Sequence, residues 1–223
     1  SVNYSGQIIP AITLAALIKK AFSRVKIIFG GSLFPAYANK ISALNIFAEY
    51  SDALIIYAGE YPWNNIIEYD TLDYIPGCMR SNGHSFIHNN LPLPQIKRAL
   101  PDFSDYSLQR YLVPHNILPY AMSIGCYWGK CSFCGYQSYK DICVKRYAQN
   151  DIDLGNYVFD DLYRLYKIYG AENFYFVDEA MTAWIGKIIA KRIYESGLSF
   201  HWYSEFRFDS FLNYSYLSEI KKG

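Results

Sequence analysis

A chain of 223 residues with 52% hydrophobic side chains is long enough for one large domain or two smaller ones, and it carries enough apolar surface for a real core. Its 18% charged residues balance to a net charge of +1, which excludes a basic nucleic-acid surface and an electrostatic membrane anchor. Five cysteines, three of them clustered, exclude a secreted disulfide framework and predict a reducing, cytoplasmic setting.

The first 75 or so residues alternate helix and strand signals. Ile8, Ile12, Ala15, Ala16 and Leu17 form a helical stripe over residues 7–22, with Lys19 and Lys20 near its C-terminus. The apolar run at residues 8–18 is too short to span a bilayer, contains Pro10 and lacks a cleavage-site pattern, so it predicts a helix and neither a membrane span nor a signal peptide. Residues 25–29 read as a strand closed by Gly30-Gly31, residues 36–50 as a helix, 53–57 as a second buried strand and 63–69 as a short helix. Strands alternating with helices predict a parallel sheet with helical cover over residues 1–77.

Residues 78–110 predict a hairpin turning at Asn82-Gly83, then a linker marked by Pro92, Pro94 and Pro101. From residue 111 to 223 the alternation resumes. Strands are expected at 117–122, 173–177 and 199–203, and helices at 156–169, 182–196 and 214–222. This pattern predicts the first three βα units of a barrel, with functional residues at the strand C-terminal ends and an open side exposing apolar residues. The start at Ser1 and the end in Lys221-Lys222-Gly223 suggest a piece of a longer protein, inactive in isolation.

The most informative segment is Gly125-Cys126-Tyr127-Trp128-Gly129-Lys130-Cys131-Ser132-Phe133-Cys134, which follows the strand at 117–122. Three soft thiolates within nine residues suit a soft metal or an iron–sulfur cluster better than a packed core. Three ligands on a four-iron cluster leave one iron open for chemistry. Two other readings use the same loop. A structural zinc site would need Cys143 or a histidine as fourth ligand, and an electron-carrying ferredoxin would need Cys143 as a fourth thiolate. Cys78 and Cys143 are otherwise expected to be structural, and the four histidines form no ligand pair.

The C-x4-C-x2-C loop after a strand resembles the cluster loop of the radical SAM enzymes, particularly members with a cobalamin-binding domain. Most of that family uses C-x3-C-x2-C, so the first gap here is longer. In the N-terminal part, Ser1-Val2-Asn3 followed by Gly30-Gly31 resembles the serine and Gly-Gly motif of cobalamin-binding domains, although Asn3 stands where that motif has Leu or Thr. Ala58-Gly59-Glu60 also looks like the Gly-Glu segment after the next strand of that domain. The resemblance implies a partial Rossmann-like sheet followed by part of a radical SAM barrel. It implies a 4Fe–4S cluster on Cys126, Cys131 and Cys134, S-adenosylmethionine on the open iron, and cobalamin at Ser1, Gly30 and Gly31. Phe133 would pack near the adenine. Asp178-Glu179, where the family often has Gly-Gly-Glu, would supply an acidic partner for the methionine ammonium, and Arg207 would pair with its carboxylate. Tyr127 and Trp128 would shield the cluster. The implied partners are a peptide or small-metabolite substrate and an electron donor such as a flavodoxin or ferredoxin, with no nucleic acid or membrane.

Overall fold

A computed structural model describes residues 1–37, 40–87, 91, 99–123, 125–134 and 151–223. The chain divides into two compact units, Ser1–Ile96 with Lys130–Ser138, and Lys97–Gly129 with Tyr139–Gly223. Each contains one sheet among its described residues.

The first unit opens with Ser1-Val2-Asn3 in irregular backbone and a short 3-10 turn. Helix α1 (Ile8–Ala21) follows, with Pro10 in its first turn, where the missing N–H costs nothing. Strand β1 (Ile28–Phe29) pairs in parallel with β2 (Ala53–Ile55), matching Ile28 to Ala53 and Phe29 to Leu54. Asp52 ties this region together, because its Oδ2 accepts from Lys19 Nζ at 2.6 Å and from Ile27 N–H at 2.7 Å. The expected helix at 36–50 is instead two 3-10 segments, Phe34–Tyr37 and Ile41–Tyr50. Leu44 and Phe47, three residues apart and both buried, follow the three-residue turn of that helix type. Helix α2 (Glu60–Tyr69) covers the other side of the sheet.

The predicted hairpin forms as β3 (Cys78–Ser81) and β4 (Phe86–Ile87), with Asn82 Oδ1 accepting from the His84 and Ser85 amides at the turn. It is not a free connector. β3 pairs antiparallel with β2, setting Leu54 opposite Met79, so the sheet is mixed, in the order β1-β2-β3-β4. Residues alternate across β2. Leu54 and Ile56 enter one core with Phe29, Phe34, Phe47 and Met79, while Ala53 and Ile55 enter the other with Ile66, Ile75 and Cys78. Both faces of this sheet are therefore covered, as the continuous apolar run of β2 requires.

The second unit holds a three-stranded parallel sheet, β5 (Ile117–Tyr120), β6 (Asn173–Phe176) and β7 (His201–Tyr203), in chain order and in register from Ile117 through Asn173 to His201. Helices α3 (Asp151–Tyr169) and α4 (Ala183–Ser196) connect the strands, and α5 (Tyr214–Ile220) closes the described chain. Thr182 caps α4 by accepting the Ile185 N–H, and Asn213 caps α5 by accepting the Tyr216 N–H. Leu118, Tyr120, Phe174, Phe176, Phe200 and Trp202 point to the helices and form one core with Leu162, Ile185 and Ile189. Within it Tyr120 Oη donates to the buried Asp161 at 2.9 Å. The unit reaches back before residue 111: Leu100, Phe103 and Leu108 pack on this core, and Tyr169 Oη accepts the Phe103 N–H while donating to Asp102.

Within this unit, described residues on the opposite face of the sheet are exposed. Ile117 is 53% exposed, Val177 44% and Tyr203 58%, although parallel sheets normally bury both faces. The architecture is thus mixed α/β with parallel segments and no closed barrel among the described residues. No helix among these residues is long and apolar enough to cross a membrane.

Candidate functional site

Because β5, β6 and β7 run parallel, their C-terminal ends share one edge, and the chain leaves β5 there toward Cys126. The ladder continues one step past the strands, with Val177 N–H donating to Tyr120 O at 3.0 Å. Beyond it, Asp178 takes over. Its Oδ2 accepts from Met122 N–H at 3.0 Å, and its Oδ1 accepts from Ser123 N–H at 2.7 Å and Ser123 Oγ at 2.6 Å. Asp178 is 5% exposed. Burial pushes its carboxyl above the usual range, and the three donors pull it back.

The first part of the cysteine loop is shaped by Gly125 and Gly129, whose φ values of 83° and 54° put the backbone in the left-handed region on both sides of Cys126-Tyr127-Trp128. Trp128 lies under Arg207, with the guanidinium carbon 3.4 Å from the ring centroid. Arg207 also pairs with Asp209 at 3.4 Å. Tyr127 is close enough to Tyr216 to raise its phenol, which burial, then Glu219, then Tyr127 push up to about 12. Tyr216 in turn donates to the Ala183 carbonyl, which fastens α5 to the start of α4.

In the second part of the loop, Cys134 N–H donates to Cys131 O at 3.1 Å and closes a turn over Ser132-Phe133. Cys126 belongs to the second compact unit, and Cys131 and Cys134 to the first. None of the three is in a disulfide, and all three are partly open to solvent. Among the described residues no three His, Cys, Asp or Glu side chains stand together as a metal-holding group. Fit to a cluster therefore rests on the donor set: three soft, unoxidised, accessible thiols within one short loop. Cys143, the proposed fourth ligand of the zinc and ferredoxin readings, lies outside the described residues.

The other expected site residues fall as follows. Phe133 is 91% exposed, so its ring is not spent on loop packing. Glu179 is exposed beside the buried Asp178. Arg207 reaches the loop through Trp128.

In the first unit, the N-terminal residues meet the Gly30–Ser32 turn through Val2 and Asn3. Val2 N–H donates to Gly30 O at 2.7 Å, and Ser32 N–H donates to Asn3 Oδ1 at 3.0 Å, while Ser1 Oγ donates to Asn3 Oδ1 at 3.2 Å. Gly31 has φ 128°, and a Cβ there would fall 2.4 Å from Val2 O. The close approach that Gly31 allows is thus to the chain itself. A Cβ on Gly30 would meet only Ile55, at an ordinary 3.7 Å.

Sequence reasoning missed the partners of these residues. Met122 and Ser123 gave no signal beyond lying at the end of an apolar run, and Tyr216 none beyond a helical stripe. Compared with protein-family models, curated proteins and solved structures, the chain matches none.

Proposed function

We propose that this chain is a radical S-adenosylmethionine enzyme in which Cys126, Cys131 and Cys134 hold a 4Fe–4S cluster with one iron open. The observation that carries this reading is the meeting of three strands' residues at one edge: Asp178 after β6 and Arg207 after β7 both engage the loop that follows β5 and bears Cys126. Parallel barrels collect functional groups from several strand ends in this way.

Once bound and reduced, the cluster would supply one electron for cleavage of S-adenosylmethionine at its sulfonium, giving methionine and a 5′-deoxyadenosyl radical. The chain's own residues bind and orient. The three thiolates are the ligands. The exposed Phe133 ring offers a face to the adenine. Of the acidic pair, Glu179 takes the methionine ammonium, because both Asp178 oxygens already accept from the loop. One face of the Arg207 guanidinium rests on Trp128, Asp209 takes one side of its N–H edge, and the remaining donors suit the methionine carboxylate. Trp128, held by Arg207, and its neighbour Tyr127 limit water at the Cys126 side of the loop.

Cobalamin, which Ser1, Gly30 and Gly31 would hold, would extend the reading to methylation of a peptide or small metabolite. Val2 and Asn3 already contact the Gly30–Ser32 turn and Val2 fills the space beside Gly31, so Gly30 is the residue with room beside its backbone. A flavodoxin or ferredoxin serves as electron donor.

The test is anaerobic reconstitution followed by iron and sulfide assay. The parent should bind about four of each. Alanine at Cys126, Cys131 or Cys134 should abolish uptake, whereas Cys143→Ala should not. Unchanged iron in Cys131→Ala would overturn the assignment.

A further inference from the structure

Asp178 sits where the β5–β6 ladder stops and the chain leaves for Cys126. Two backbone donors and one hydroxyl, from Met122 and Ser123, converge on its two oxygens at 2.6 to 3.0 Å. Both donor residues are themselves buried. Taking a carboxylate out of water is costly, and an apolar side chain in the same space often serves stability as well or better. What the carboxylate adds is direction. Ionised, it only accepts, so it can satisfy all three donors at once, and no neutral side chain of similar size does this. Met122 and Ser123 are the second and third residues beyond β5, and Cys126 follows three residues after Ser123. Fixing their amides anchors the chain where it leaves the sheet on its way to the first thiol. Gly125, buried and in the left-handed region, then turns the chain at Cys126. A pair of residues that only filled space would not need two consecutive amides aimed at one carboxylate.

We infer that Asp178 is the positioning residue of the cysteine loop: its carboxylate clamps Met122 and Ser123 and thereby presents Cys126 at the sheet edge in a ligating orientation. This rests on the reading of the loop as a cluster site. Asp178 acts through the backbone of Met122 and Ser123, and Glu179 is left to face solvent and ligand.

The experiment compares the parent with Asp178→Asn and Ser123→Ala, using three readouts. Amide hydrogen exchange at Met122 and Ser123 should be slow in the parent and about tenfold or more faster in Asp178→Asn, while Phe174 and Phe176 in the sheet stay protected. In the metal-free proteins, alkylation of Cys126 should quicken by a similar factor in Asp178→Asn, with Cys78 unreactive throughout. After reconstitution, Asp178→Asn should hold less than about half the parent's iron, or give an altered resonance spectrum from the reduced cluster. Ser123→Ala, which keeps both backbone bonds, should show a smaller change of the same sign and guards against a variant that fails to fold. Unchanged exchange at Met122 and Ser123, or unchanged Cys126 alkylation, overturns the clamp. Parent-like iron content and spectrum in a folded Asp178→Asn with accelerated exchange overturns its positioning role and leaves the cluster reading standing. A parent that takes up no iron sinks the cluster reading, and the alkylation rates then decide the clamp alone.

Discussion

The Arg207 guanidinium lies over the Trp128 ring at 3.4 Å, joining the segment after β7 to the loop after β5. Two residues far apart in sequence thus hold one side of the cysteine loop, while Asp178 holds its root. Arginine suits this place because a planar, weakly hydrated cation stacks on indole while its N–H edge pairs with an anion, here Asp209.

The stack should be measurable as a coupling energy. A double-mutant cycle with Arg207→Ala and Trp128→Phe, followed by denaturant unfolding, should give about 1 kcal/mol of interaction beyond the single effects. Arg207→Lys should recover only part of it, since an ammonium lacks the flat face. Strict additivity in the cycle would mean that the contact contributes nothing.

The two adjacent glycines should separate cleanly. Gly31→Ala places a Cβ against Val2 O at a positive φ, so it should cost about 1–3 kcal/mol whether or not a corrinoid is present. Gly30→Ala has room and should leave the melting temperature nearly unchanged. It is therefore the informative variant for cobalamin. If the nucleotide tail approaches this backbone, hydroxocobalamin titrated by absorbance should bind Gly30→Ala more weakly than the parent. Equal affinities would assign the Gly-Gly pair to the turn alone.

Cys78 predicts a pH dependence unrelated to the site. Burial, helped by Asp73, pushes its thiol from 9.0 to about 11. The folded state thus keeps a proton that the unfolded chain loses first. The stabilisation is fully present below about pH 9 and disappears as pH rises through about 11, up to about 2–3 kcal/mol in all. The stability gap between the parent and Cys78→Ala should narrow across that window. A constant gap from pH 8 to 11 would contradict the shift.

The sequence made the second sheet legible because its strands are β-rich runs bounded by clear helix signals, as at Thr182 and Gly197 around α4. It also placed Cys126, Asp178 and Arg207 at strand ends, which the parallel register of β5, β6 and β7 realises. It did not reveal what those residues touch. Asp178 resembled any acid near a helix start, since its partners Met122 and Ser123 lie in another βα unit. Gly31 was read as a place where a corrinoid approaches the backbone, whereas the group beside it here is Val2, which becomes visible only when the N-terminal residues fold back beside the turn. Residues 41–50 carried a helical stripe that suits either helix type, and Ser42, Asn45 and the aromatics weaken the α form. The hairpin was read without its place in the first sheet, because the local signal of Asn82-Gly83 says nothing about the edge of β2 that it joins.

The most direct test of the central claim is electron paramagnetic resonance of the anaerobically reconstituted, reduced protein with and without S-adenosylmethionine. An open iron on a cluster held by Cys126, Cys131 and Cys134 should change its signal when the amino and carboxylate groups of the cofactor bind. A reduced cluster whose spectrum is the same with and without S-adenosylmethionine would contradict the assignment and favour a fully ligated electron carrier, and a preparation holding zinc in place of iron would contradict it as well.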